Sequence, residues 1–419
     1  MIGNFCGNKY TFCLVYLLCV GFVCEKPQAK SFTIEQHNID LGVRPRLAYI
    51  DGSQDAKSAS MLFRIRANSE WTEAFSSTIE IDYVVLGLQD EFSNGVNFNN
   101  NPVIPDVEGI DVNQLYFTYS INNVSNVVIG REVINLGNER FVGSNSFWQN
   151  EQSFDTAGID YEFASASSFV YRYVSNANRI TGDQAGVNLR PSDANFEQNN
   201  GRRPASFLGD HTHNTHLFFT EIREFDHAVL QAYFFDMDIE EMRLLSNQTL
   251  GLRYQYRSRF QSYKASLDAE YAVQRRQELG DNRRFNYYKL GLGIGFKTRD
   301  LFLRYEVLGE NNDASFVTPL ASLHDQNGWA DKFLVTPAKG LRDLSVQTIW
   351  RISPFKLDIR YHVFTSELGD EDFGKELDID LSLKFSHNNT LLLRFADFNS
   401  DNVRYNSDKR VFLQYSYHL

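Results

Sequence analysis

The sequence predicts an all-β chain, a transmembrane antiparallel β-barrel of about 18 strands with short periplasmic turns and long extracellular loops. Three observations predict it. From about residue 41 to the end, segments of roughly ten residues alternate apolar with polar, the period of a strand with one apolar face. The links between these segments alternate short and long along the chain, as in a barrel whose strands meet in tight turns on one side of a membrane only. The composition, 14% aromatic with 34 Phe and 21 Tyr against 9 Pro and 4 Met, favours strands over helices.

The first element is a leader. Lys9 precedes the apolar run TFCLVYLLCVGFV, residues 11–23, too short to cross a bilayer as a helix and suited to a secretory signal. Residues 1–29 are expected to be a signal peptide cleaved after Ala29, and residues 30–419 a single barrel in the outer membrane of a Gram-negative bacterium. All four cysteines, Cys6, Cys13, Cys19 and Cys24, lie in the leader, so the remainder can build neither a disulfide framework nor a Cys-based zinc site. The net charge of -12 disfavours a nucleic-acid binder, which needs a basic footprint.

Eighteen alternating segments follow, centred near residues 46, 64, 80, 116, 129, 160, 172, 218, 231, 253, 268, 291, 304, 346, 359, 380, 394 and 414. In KELDIDLSLKF, Leu377, Ile379, Leu381, Leu383 and Phe385 share one face, while Glu376, Asp378, Asp380, Ser382 and Lys384 share the other. Short links include 224–227, 297–300 and 386–389; long ones are 87–110, 135–156, 176–212, 274–285 and 309–340. The first and last links are expected to be of the long kind. A strand of about nine to eleven residues crosses a membrane when tilted, and a closed barrel pairs every backbone group. A soluble all-β protein is the competing reading, and it would have to explain the polar inner face.

In such a barrel the apolar face meets lipid and the polar face meets the lumen. The polar faces carry fifteen basic against eleven acidic positions. Arg44, Arg46, Arg64, Arg66, Arg253, Arg257, Arg304, Arg360 and Arg394 are the candidate pore-lining arginines, because rings of Arg select anions and the guanidinium grips carboxylate or phosphate. The alternative is that these charges pair across neighbouring strands and stiffen the wall. Eighteen strands leave an aqueous channel unless loops fold inward.

Two stretches resemble a known family. FVTPLASLHDQNGWADKFLVTPAKGLRDL, residues 316–344, and GREVINLGNERFVGSNSFWQNEQSFD, residues 130–155, are similar to signatures of the alginate-export family of bacterial outer-membrane barrels. Weaker support comes from YHVF (361–364), FGKELD (373–378) and ADFNSD (396–401). The resemblance implies an eighteen-stranded channel for an anionic polysaccharide or smaller anionic solutes, and a monomer. It also implies a lumen role for Arg131, which with Arg140 falls on basic positions of the family motif. Two departures stand out: Phe147-Trp148-Gln149-Asn150 occupies the place of Trp-Arg-Gln-Asn, and Leu419 that of a terminal Phe used in barrel assembly.

Asn327, Gly328, Trp329, Ala330, Asp331 and Lys332 form the candidate gating loop, folding inward or packing among the outer loops. His211 and His213 of HTHNTH share a strand face and read as a solvated rim, or less readily as a metal site. Gly291, Gly293 and Gly295 suit bending or close approach within a strand. No G-x-S-x-G or other recognisable nucleophile context is present, so no catalytic residue, cofactor or metal is expected. The expected partners are outer-membrane lipid, the barrel-assembly machinery and an anionic saccharide or small anion. The rival functions are a non-selective porin and a closed, surface-binding barrel acting through its outer loops, residues 176–212 foremost.

Overall fold

Eighteen antiparallel strands close on themselves in the computed structural model, which describes residues 36–164, 166–276 and 283–419. The expected signal peptide and all four cysteines lie outside the described residues. The first third of the wall comprises β1 (Gln36–Asp51), β2 (Ala56–Thr72), β3 (Phe75–Gly87), β4 (Gly109–Asn122), β5 (Ser125–Glu132) and β6 (Ser153–Phe163). It continues through β7 (Ser167–Asn178), β8 (Asp210–Phe225), β9 (Ala228–Met237), β10 (Asn247–Phe260), β11 (Tyr263–Arg276) and β12 (Arg283–Phe296). It ends with β13 (Arg299–Leu308), β14 (Leu341–Ile352), β15 (Phe355–Thr365), β16 (Asp372–Lys384), β17 (Asn389–Ser400) and β18 (Asp408–His418). Each expected centre falls inside its strand.

Every strand pairs with its sequence neighbours, and β18 pairs with β1 to close the barrel. Leu419 completes the seam through backbone hydrogen bonds in both directions with Leu41, at 3.0 and 2.8 Å. Closure removes the exposed sheet edge, the condition for a sheet to survive in hydrocarbon. No helix among the described residues is long and apolar enough to cross a membrane; the strands do so instead.

The alternation places apolar side chains outward. Phe63, Ile65, Leu252, Leu292, Leu303, Val346, Leu393 and Leu413 are all exposed, an arrangement that water would oppose and lipid rewards. Tyr119, Phe225, Phe260, Tyr263, Phe296 and Phe355 are also exposed, near the turn-side ends of their strands, as in the aromatic girdles of membrane barrels.

The turns between β2 and β3, and likewise at the end of every later even-numbered strand before β18, have two to four residues. Both chain ends of the barrel lie on that side. The opposite side carries the outer loops, including 88–108, 133–152, 179–209 and 309–340. The first outer loop, 52–55, departs from expectation: it has only four residues, because β1 and β2 stay paired almost to their tips.

The inner face also differs from a uniformly polar lining. Towards the loop side it turns aromatic, with Tyr233, Phe235, Phe285, Tyr287, Phe364, Phe373 and Phe398 buried in one cluster. Phe141, Phe316, Trp329 and Phe333, contributed by two loops, complete it. These loops fold into the barrel and supply the apolar partners that a water-filled lumen would lack.

Candidate functional site

The inner wall is held by ion pairs whose spacing follows from hairpin register. Around the β2–β3 turn, Arg64 lies opposite Asp82 and Arg66 opposite Glu80. Arg64 grips Asp82 through two bonds of 2.7 and 2.6 Å and also reaches Glu151 at 2.8 Å. Arg66 meets Glu80 at 2.5 Å. Arg253 holds Asp268 at 2.7 and 2.6 Å, Arg394 holds Asp380 at 2.8 and 2.7 Å, and Arg131 holds Asp155 at 2.7 and 3.1 Å. Arg360 approaches Asp358 at 3.3 Å. Apart from Arg360, whose acid is on its own strand, these arginines pair across neighbouring strands, and bidentate geometry makes the contacts of Arg64, Arg131, Arg253 and Arg394 strong.

Loop 133–152 crosses the lumen to reach β1. Arg44 donates to Gln149 Oε1 at 2.9 Å and to the Ser146 carbonyl at 3.0 Å. Gln149 returns a bond to the Arg44 carbonyl at 3.0 Å. Arg46 donates to the Phe147 carbonyl and forms a fully buried pair with Asp106 of loop 88–108 at 3.0 Å. Asp106 also accepts from Ser60 Oγ at 2.7 Å and from the Gln149 N–H at 3.1 Å. One carboxylate thus joins two strands and two loops.

Loop 309–340 enters from the other side and meets the first. Asn145 accepts from the Leu323 N–H at 2.9 Å, and Phe147 stacks on His324 with centroids 4.1 Å apart. Rings and guanidinium groups alternate across the barrel. Arg360 lies 4.6 Å from the Trp329 ring, Arg394 lies 4.0 Å from Trp329 and 4.4 Å from Phe147, and Arg46 lies 4.4 Å from Phe147. Desolvated cation–π contacts contribute about 2 kcal/mol each. Trp148 takes the place of the arginine in the family's Trp-Arg-Gln-Asn pattern, and Phe147, in the place of its tryptophan, caps two wall arginines.

The candidate gating loop is fastened to the wall residue by residue. Asn327 donates to Glu306 at 2.7 Å and to Asp343 at 3.1 Å, and accepts from Arg140 at 2.9 Å. Gly328 has φ +85°, and a Cβ there would meet the Glu376 carboxylate at 2.5 Å, so only glycine fits both backbone and space. The Ala330 N–H donates to Glu376 at 2.7 Å. Trp329 is 1% exposed. Lys332 reaches Asp408 at 2.7 Å, while Asp331 lies 2.8 Å from His324 Nδ1 and 2.7 Å from Arg410. Burial would raise the Asp331 carboxyl, but His324, Arg410 and Arg394 outweigh it and hold the group below its ordinary value of 3.8.

Cavities lie to either side of this packed level. On the loop side a cavity of about 810 Å³ is lined by apolar and aromatic groups such as Trp148, Phe207, Leu245 and Tyr405, with Arg179 and with Lys332 and Arg410 paired to Asp408 and Asp331. On the turn side a cavity of about 720 Å³ is lined by Arg257, Arg259, Lys264, Arg304 and Arg351 with Asp268 and Asp300. Asp268 is taken by Arg253, and Asp300 by Arg351 and Lys264. Among the described residues, Arg257, Arg259 and Arg304 have no carboxylate within 4.0 Å. Gly291, Gly293 and Gly295 face this cavity; at Gly293 a Cβ would strike the Phe302 ring at 2.6 Å, and Arg304 lies 4.9 Å from that ring.

The ten arginines singled out thus separate. Arg360 and Arg394 lie against Trp329 and Arg44 and Arg46 against loop 133–152 at the packed level, Arg64 joins them through the loop, and Arg66, Arg131 and Arg253 belong to the wall. Arg257 and Arg304 face open space. Sequence reasoning missed Asp106, Glu306, Glu376 and Phe147 as organisers. Counting outward from a tight turn brings Arg66 to Glu80 and Arg394 to Asp380 within one position. It does not find Asp155 for Arg131, across loop 133–152, or Asp268 for Arg253, two positions from the facing Glu270, and for Asp106 and Phe147 no local pattern exists. His211 and His213 are corrected from a solvated rim to buried side chains, 0% and 4% exposed. His211 Nε2 lies 2.8 Å from the Ala205 carbonyl and His213 Nδ1 lies 3.0 Å from Thr215 Oγ1, because loop 179–209 covers the top of β8. No group of three or more metal-ligating side chains occurs among the described residues.

No protein-family profile and no curated relative matches the chain. Solved structures with the same fold do. The Acinetobacter baumannii protein OccAB4 superimposes with a TM-score of 0.70 at 10% identity, covering 93% of this chain and 100% of that one. Pseudomonas aeruginosa OccK9 (OpdG) gives 0.68 at 14% identity, with 93% and 100% covered. Pseudomonas aeruginosa OpdK, solved with vanillate, gives 0.67 at 11% identity, with 92% and 99% covered. At these identities the likeness is one of fold: an eighteen-stranded outer-membrane barrel.

Proposed function

We propose that the chain is a passive outer-membrane channel for small anions, carboxylates foremost, and not an enzyme. The observation that carries this reading is the turn-side cavity, where Arg257, Arg259 and Arg304 face space without carboxylate partners. Cations so placed offer weak, serial contacts to a passing carboxylate, and a conducting site must release what it binds. The amphipathic loop-side cavity suits an aromatic or sugar acid better than a bare ion. Support of a second kind comes from two likenesses: the motifs that resemble those of alginate-export barrels, and the fold shared with OpdK, solved with vanillate. Both ligands are carboxylates. Membrane lipid, the assembly machinery and a monomeric state belong to the same proposal.

The test is the reversal potential of the purified protein in a planar bilayer under a salt gradient, with uronate oligosaccharides or vanillate added in turn. Anion preference with concentration-dependent block by one of them is the expected result. Cation preference without block would leave a general pore. The packed level across the lumen favours a second reading, a closed barrel that binds partners through loop 179–209; zero conductance from correctly folded protein would select it.

A further inference from the structure

The outer surface of the β11–β12 hairpin carries two arginines that no described part of the lumen or loops engages through its side chains. Read upward from the lipid band, the outward pairs are Leu267 with Leu292, Ala269 with Leu290, Tyr271 with Tyr288, Val273 with Asn286, and finally Arg275 with Arg284. The intervening Ala272, Gln274, Phe285 and Tyr287 are buried inside, so alternation fixes both arginines on the lipid side, where both are exposed. Tyrosine belts sit at the level of the headgroups. Four residues further along strands that rise about 3.3 Å each and tilt by about 40°, the arginine pair stands just above that belt.

Two like charges placed directly opposite across a ladder destabilise it. Elsewhere on this rim such charges are relieved by acids: Lys57 lies 3.9 Å from Glu91, Arg342 lies 2.6 Å from Asp370, and Lys375 lies 3.9 Å from Asp401. Among the described residues, neither Arg275 nor Arg284 has a carboxylate within 4.0 Å or a side-chain hydrogen bond. No described residue relieves them, and adjacent guanidinium forks match the geometry of phosphate.

We infer that Arg275 and Arg284 form a docking site for the phosphate groups of a phosphorylated glycolipid in the outer leaflet. The site depends on the membrane orientation proposed above and not on what passes through the lumen. Bound lipid neutralises the opposed charges and anchors this hairpin at a fixed depth.

Native mass spectrometry of the full chain in detergent, titrated with diphosphorylated lipid A, tests it. Wild type is expected to retain the lipid about tenfold more tightly than Arg275→Gln/Arg284→Gln. Arg275→Lys/Arg284→Lys, which keeps charge but loses the forks, is expected to fall between them. Dephosphorylated lipid should bind wild type no better than the Gln variant, and all three proteins should conduct equally. Equal retention by wild type and the Gln variant, or of lipid with and without phosphate, overturns the site. Displacement of the lipid by millimolar inorganic phosphate assigns the pair to a free anion and overturns the lipid assignment. Failure of wild type to enter bilayers would instead remove the membrane orientation, and the site with it.

Discussion

The two halves of the lumen use the same residue type in opposite ways. At the packed level Arg46, Arg360 and Arg394 are each paired with a carboxylate and covered by Phe147 or Trp329. On the turn side Arg257 and Arg304 sit on the same inward alternation with no carboxylate within 4.0 Å among the described residues. The contrast teaches that an inward arginine is structural or functional according to what the loops bring to it. Position in a strand does not decide. Where a loop arrives with aromatic rings and a carboxylate, the arginine becomes part of a wall; where none reaches, it stays available to solutes.

Removing one partner from the packed side should break that contrast most severely. Asp106→Ala strands Arg46 in a fully buried position, which costs about 3–5 kcal/mol when a buried pair loses one member. A lower denaturation midpoint in detergent is expected, along with a larger, noisier current as loops 88–108 and 133–152 lose their common anchor. An unchanged midpoint would mean that the buried pair contributes no stability. A smaller effect is expected from Glu376→Ala, which leaves the Ala330 N–H without its acceptor and costs about 1–3 kcal/mol. The barrel should remain folded while single-channel recordings show added flicker, since only the tip at Gly328–Ala330 is released.

Acid should sharpen the same comparison. The Asp331 carboxyl is held below its ordinary value of 3.8 by His324, Arg410 and Arg394 against the effect of burial. A depressed carboxyl stabilises the fold above its unfolded value, and that contribution disappears as pH falls through the lower folded value. The tip should therefore stay seated from neutral pH down to about pH 4 and loosen only below it, seen as flicker that begins there. Asp331→Asn should already flicker at neutral pH and show no further acid step. Acid-dependent flicker of equal size in that variant would move the effect to another group.

Much of this architecture was legible because its cause is local. The period of two places Leu377, Ile379 and Leu381 outward and Glu376, Asp378 and Asp380 inward whatever the tertiary context, and tight turns fix register. Arg253 and Glu270 stand equally far from the β10–β11 turn, so that facing pair follows from counting, while the bulge between Glu70 and Thr72 sets Arg64 opposite Asp82 one residue off the count. What could not be read depends on where loops land. Nothing near Asp106 announces Arg46, sixty residues earlier, and Phe147 shows no sign in its own segment that it will stack on Arg394. The inward aromatics Phe364, Phe373 and Phe398 look like breaks in the pattern until Phe333 arrives from loop 309–340 to cover them. The buried His211 was misread for the same reason, its cover being loop 179–209.

The smallest expected effect on stability is also the one that tests function most directly. Arg257 is exposed, faces the turn-side cavity and has no acid partner among the described residues. Arg257→Ser removes no contact that holds the fold and should change stability by no more than about 0.5 kcal/mol. Its charge nevertheless contributes to the potential that a permeating anion meets, and a cavity with low-dielectric walls focuses that potential. The reversal potential under a salt gradient should shift towards cation permeation, and further when Arg304→Ser is added, with the denaturation midpoint unchanged. Arg253→Ser supplies the control, because Arg253 is committed to Asp268; its loss should lower stability more than Arg257→Ser does. Should the two variants shift the reversal potential equally with equal stability, paired and unpaired arginines would be equivalent, and the distinction between the two halves of the lumen would fail.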